Sequence, residues 1–79
     1  MSKVWIVAYT HKHGDDVWTH ATREGALATA KTTIESWLEG DDAKESYERL
    51  EAAVLSMNRG GTEVEAGEYL SVREEELLP

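Results

Sequence analysis

The segment Lys3–Thr10 reads KVWIVAYT, and its β-branched and aromatic content predicts a strand. Both faces of that strand are apolar, with Val4, Ile6 and Ala8 on one and Trp5, Val7 and Tyr9 on the other. Such a strand needs cover on both sides. A chain of 79 residues forms one domain, spanning 1–79, that buries only ~60% of its unfolded surface. Two helices can cover one face of a small sheet, so the other face requires the C-terminal segment, a second copy or a partner protein. Aromatic contact surface from among Trp5, Tyr9 and Trp18 is therefore expected on the sheet face away from the helices. Which face of the first strand the helices take is left open by the pattern.

The polar stretch His11–Asp15, with Gly14, suits a hairpin loop, and the alternating Asp16–Ala21 reads as the returning strand. Thr22 is a helix N-cap with Glu24 in the first turn. A first helix is expected over Arg23–Glu39, since Leu27, Ala30, Ile34, Trp37 and Leu38 recur at helical spacing, with Gly40 as its stop. Asp42 and Glu45 have the spacing of a capping box. They would open a second helix with Ala43, Tyr47, Leu50, Val54 and Met57 as its apolar stripe, closed by Arg59-Gly60-Gly61. Glu45–Arg49 and Lys44–Glu48 have the spacing of ion pairs on its wet side. Glu68–Arg73 alternates as a last strand with Leu70 and Val72 inward, and Glu74-Glu75-Glu76 reads as a solvated end. Whether 62–66 adds a strand is undetermined. The expected fold is α+β: a three-stranded antiparallel sheet with two helices on one face, in the order ββααβ.

Charge narrows the choice of partners. Residues 1–33 carry four bases and three acids, whereas 34–79 carry four bases and thirteen acids. The second half repels nucleic-acid backbones and anionic membrane surfaces and attracts basic protein surfaces. Glu35, Glu39, Asp41, Asp42, Glu45, Glu48 and Glu51 cluster around the first helix end and along the second helix, and form the expected acidic partner-binding surface. Direct nucleic-acid or membrane contact is not expected. Without a cysteine, the chain has no disulfide, thiolate metal ligand or thiol nucleophile, which fits a reducing compartment such as the cytoplasm.

Thr10-His11-Lys12-His13-Gly14-Asp15-Asp16 looks like the zinc signature of metallo-β-lactamase-type hydrolases. Here, however, Asp16 stands where that family has its last histidine, and the chain is far too short for that fold. A bare metal site on His11 and His13, aided by Asp15, Asp16 or His20, is an alternative reading. No G-x-S-x-G elbow or phosphate-cradling glycine loop occurs. The carboxylates are surface-patterned, so no catalysis and no cofactor are expected.

Taken together, VWIVAYTHKHGDDVWTHAT, REGALATA and EYLSVREEEL resemble short acidic proteins of bacteria and their phages. Phage inhibitors of host defence, anti-CRISPR proteins and DNA mimics among them, are similar in size and charge. That resemblance implies an inhibitor or adaptor and transfers no site residue. The expected function is a non-catalytic protein-binding module acting on a partner with a basic surface, with a small structural or regulatory homodimer as a further alternative.

Overall fold

A computed structural model describes residues 2–65 and 67–77 of the chain. Six elements follow one another: β1 (Ser2–His11), β2 (Gly14–His20), α1 (Arg23–Trp37), α2 (Gly40–Met57), β3 (Arg59–Glu65) and β4 (Glu68–Leu77). The strands form one antiparallel sheet in the order β2-β1-β4-β3, and both helices lie on the same face of it. The architecture is α+β as expected, but with four strands in the order ββααββ in place of three in the order ββααβ.

The additional strand comes from residues that read as a helix stop. Asn58, in the left-handed conformation at φ 59°, closes α2 with its N–H on the Val54 carbonyl. This frees Gly60 and Gly61 to pair with Val72 and Ser71 of β4. The inward positions of β3 are Gly60, Thr62 and Val64, so the strand lacks the apolar alternation that would announce it. It extends through 62–65, while Ala66 lies outside the described residues.

At the other end, Glu74, Glu75 and Glu76 continue β4 opposite Trp5, Val4 and Lys3 of β1, with Glu75 and Glu76 exposed to solvent as expected. Central β1 offers them a full hydrogen-bonding edge. Lys3 lies 3.6 Å from Glu74, and Arg73 lies 2.8 Å from Glu75. Tertiary pairing overrides the weak strand preference of an acidic run.

The helices follow the expected apolar stripes except near their C-terminal ends, where Trp37 and Met57 are exposed. Ala26, Leu27, Ala30 and Ile34 of α1 are buried, as are Ala43, Ser46, Leu50 and Val54 of α2. Thr22 caps α1 by accepting from the Gly25 N–H at 3.1 Å. The interhelical junction departs from expectation. Helix α1 ends at Trp37 with extended Leu38 as its cap, and Gly40, at φ +57°, opens α2 instead of closing α1. Glu39 is the N-cap of α2 without a side-chain bond, so Asp42 and Glu45 form no capping box. Asp41 and Asp42 instead sit in the first turn, where their charge complements the helix dipole. Neither Glu45–Arg49 nor Lys44–Glu48 comes within ion-pair distance among the described residues. Helical spacing permits those pairs, but exposed side chains gain little from holding them.

The helices cover the Trp5, Val7 and Tyr9 side of β1, which packs with Leu70 and Val72 of β4. Trp5 and Tyr9 therefore belong to the core at 6% and 3% exposure, a correction to their expected place on the uncovered face. The aromatic side of β1 carries more apolar area than the Val4, Ile6 and Ala8 side, and the helices take the larger burial. Tyr9 also needs a partner for its hydroxyl, and donates to the buried Glu68 at 2.5 Å. Replacing Tyr9 by Phe removes this donor from a buried carboxylate, at an expected cost of about 1–3 kcal/mol. Glu68→Gln, which keeps an acceptor for Tyr9, should cost less; equal losses for the two variants in urea denaturation would contradict this ranking.

Candidate interaction surfaces

Three surfaces carry the residues singled out by sequence. The first is the outer side of the helical layer. Asp41, Glu45 and Glu48 step by four and three along α2, on the side away from Ala43, Leu50 and Val54, and all three are exposed. Neighbouring members of such a row have Cβ atoms ~5–6 Å apart. Glu35, Glu39 and Asp42 are exposed around the helix junction, and Glu51 is half-buried beside the row. On α2 the row is flanked by Asp42 on one side and by Glu51, nine residues further on, on the other.

Three of these acids, Glu35, Glu39 and Glu48, line a groove of about 660 Å³ between the end of α1 and the start of α2. Leu38, Ala43 and Tyr47 supply its apolar floor, while Lys31, Glu35, Glu39, Lys44 and Glu48 rim it. Tyr47, read from sequence as a core residue, is only half-buried. Lys31 stands over its ring at 5.6 Å, and its hydroxyl donates to Glu51 at 3.1 Å. Burial, that hydrogen bond and the Glu51 charge hold the Tyr47 phenol above its ordinary range. All three causes favour the neutral, donating phenol. Its place at the i+4 step before Glu51 is the sequence signal that could have revealed this pairing.

The second surface lies at the β1–β2 hairpin. His11 Nδ1 accepts the His13 backbone N–H at 3.3 Å. That assigns the ring proton to Nε2, which donates to Asp16 Oδ2 at 3.1 Å. Both nitrogens of this imidazole are therefore in use, and the His13 ring stands 6.3 Å away. His20 serves the fold, since its Nε2 shares a hydrogen bond with Thr29 Oγ1 at 2.8 Å and so ties β2 to α1. Among the described residues, no three of His, Cys, Asp and Glu converge as a metal would require.

Trp18 pairs in register with Val7, which places it on the helix side of the sheet, not on the uncovered face. On edge strand β2 it protrudes beyond α1 and keeps 36% of its surface exposed. It lines a groove of about 320 Å³ with Trp37, His11, His13 and Asp16. Trp37 closes this groove next to Tyr9, with ring centroids 6.1 Å apart.

The third surface is the uncovered sheet face, whose side chains follow from the pairing registers. One row across the sheet is Thr19, Ile6, Arg73 and Arg59; the next is Val17, Ala8, Ser71 and Gly61; the third is Asp15, Thr10, Tyr69 and Glu63. Val17 and Tyr69 are 60% and 50% exposed, while Val4, Ile6 and Ala8 are half-buried by their neighbours. Tyr69, which the sequence pattern did not single out, is the large aromatic of this face. Its ring lies over Gly61, in the space a Cβ there would occupy. The exposed parity of Tyr69 beside inward Leu70 is the sequence signal that marks it.

No known family model matches this chain, and no curated protein or solved structure does so either. Among the described residues, no helix is long and apolar enough to cross a membrane.

Proposed function

We propose that this chain is a non-catalytic protein-binding module that docks its acidic helical surface on a basic surface of another protein. The observation that carries this reading is the groove between α1 and α2, with Leu38, Ala43 and Tyr47 as its floor and Glu35, Glu39 and Glu48 outnumbering Lys31 and Lys44 at its rim. An apolar centre inside a charged rim is the usual anatomy of a protein interface. The charge around it would speed encounter with a cationic partner and set orientation. A rigid row of carboxylates also suits an inhibitor that occupies a nucleic-acid-binding surface in place of phosphates, the mode of a phage-type DNA mimic.

The test uses the immobilised chain to capture proteins from an extract of its native host at low salt. A variant carrying Asp41→Lys, Glu45→Lys and Glu48→Lys should fold normally, because these positions are exposed. It should lose the captured partner, with affinity reduced about 10–100-fold. Capture by the unaltered chain should weaken as salt approaches ~0.15 M and beyond, where exposed charges more than ~8 Å apart are screened. A partner that binds equally at all salt concentrations and to both chains would dispose of the acidic-docking reading.

A further inference from the structure

We infer that the uncovered sheet face pairs with a second copy of this chain, the two sheets being related by a two-fold axis that runs across the strands at Ala8, Ser71 and Gly61. The acidic load spares this face. It carries Arg59 and Arg73 against Asp15, Glu63 and Glu75, a balance near neutrality on a chain of net charge −8. Like charges on the helical side oppose self-association there, whereas this face opposes it little.

The charges that it does carry are ordered by row. Arg59 and Arg73 sit directly opposite one another in register, an arrangement that is unfavourable without nearby acids. Arg73 has Glu75 at 2.8 Å, while Arg59 has no ion-pair partner among the described residues. Glu63 likewise has none, and lies four residues further along β3 with Gly61 midway between them. A two-fold axis across the strands at Gly61 places β3 over the partner's β3 in the opposite direction. Arg59 then meets the partner's Glu63, and Glu63 meets the partner's Arg59, so that one operation satisfies four charges. It also carries Arg73 to the partner's Tyr69, a cation over an exposed aromatic ring.

The other face-to-face choice, an axis along the strands, lays β3 over the partner's β2. Glu63 would then face the partner's Asp15, so charge selects the first arrangement. On the axis Val17 meets the partner's Val17 and the Tyr69 ring over Gly61 meets its counterpart, while small Ala8 and Ser71 leave room for them within the usual ~10 Å between sheets. Closed two-fold contacts of this self-complementary kind are the commonest homo-oligomeric form. Four strands ~4.8 Å apart give a contact on the order of 500 Å² per copy, which suits a weak dimer dissociating in the micromolar range.

Sedimentation velocity on the full chain, from about 5 μM to about 1 mM, tests the pairing. The unaltered chain should pass from monomer to dimer across this range. Arg59→Glu and Glu63→Arg should each raise the dissociation constant about tenfold, because each replaces two attractive pairs by two repulsive ones. Combining both substitutions restores opposite charges and should return the dissociation constant to near its original value. Thermal melts of all four chains check that folding is unchanged, as expected for exposed positions. A chain that stays monomeric at 1 mM overturns the proposal. So does a double variant that dissociates like the singles, or single variants that associate like the unaltered chain.

Discussion

Trp5→Ala should cost about 3–5 kcal/mol, most of the stability of a domain this size. Trp5 has 6% of its surface exposed and sits in the cluster formed by β1, β4 and the two helices. A domain of 79 residues cannot refill the resulting cavity from elsewhere. Trp18→Ala and Trp37→Ala provide the contrast, because those side chains keep 36% and 48% of their surface exposed. Each should cost less, about 1–2 kcal/mol. Urea denaturation followed by far-ultraviolet circular dichroism would rank the three. A Trp18 loss equal to the Trp5 loss would contradict this ranking and make Trp18 part of the core.

Gly60→Val should be similarly severe, at about 3 kcal/mol, for the opposite reason. A Cβ at Gly60 would stand 2.8 Å from the Ala53 Cβ and 3.1 Å from the Leu50 carbonyl oxygen. The backbone of α2 cannot yield locally, so a branched side chain has to lift β3 away from the helix. Gly61→Ala makes the comparison informative. Its new methyl would strike first the outer end of the Tyr69 side chain, which is half exposed and borders solvent into which it can move. Gly61→Ala should therefore cost less than about 1 kcal/mol, while exposing more of the tyrosine. Paired melting curves would expose an error in this assignment if the ranking of the two glycines were reversed.

The parts of the fold readable from sequence are those in which local preference and burial agree. Leu27, Ala30 and Ile34 form one stripe, as do Ala43, Leu50 and Val54, and both stripes are buried. Strand β3 was hidden because its tightest position requires a glycine against α2, and two adjacent glycines read as a turn. The acids at 74–76 were misleading in a different way, since their strand exists through the edge that β1 offers. The exposure of Asp41, Glu45 and Glu48 was legible because their positions on α2 lie opposite the buried stripe. The aromatic surface was not, since alternation separates Trp5, Val7 and Tyr9 from Val4, Ile6 and Ala8 without saying which set is covered. Comparing side-chain areas on the two faces would have decided it in favour of the aromatic set.

The position of β4 has a consequence for the order in which the molecule can assemble on the ribosome. Strand β1 leaves first and can close a hairpin with β2 at once, as their residues are near neighbours in the chain. Its other edge waits for β4, the last of the six elements, and β3 also has its sheet partner only in β4. Throughout synthesis of the helices, the central strand therefore presents one unpaired apolar edge, the kind of template on which nascent chains join wrongly. Arrival of β4 joins the hairpin to β3 in a single event and brings Ser2 opposite Leu77. Such distant pairing slows folding, and it leaves completion of the sheet until after both helices have been made.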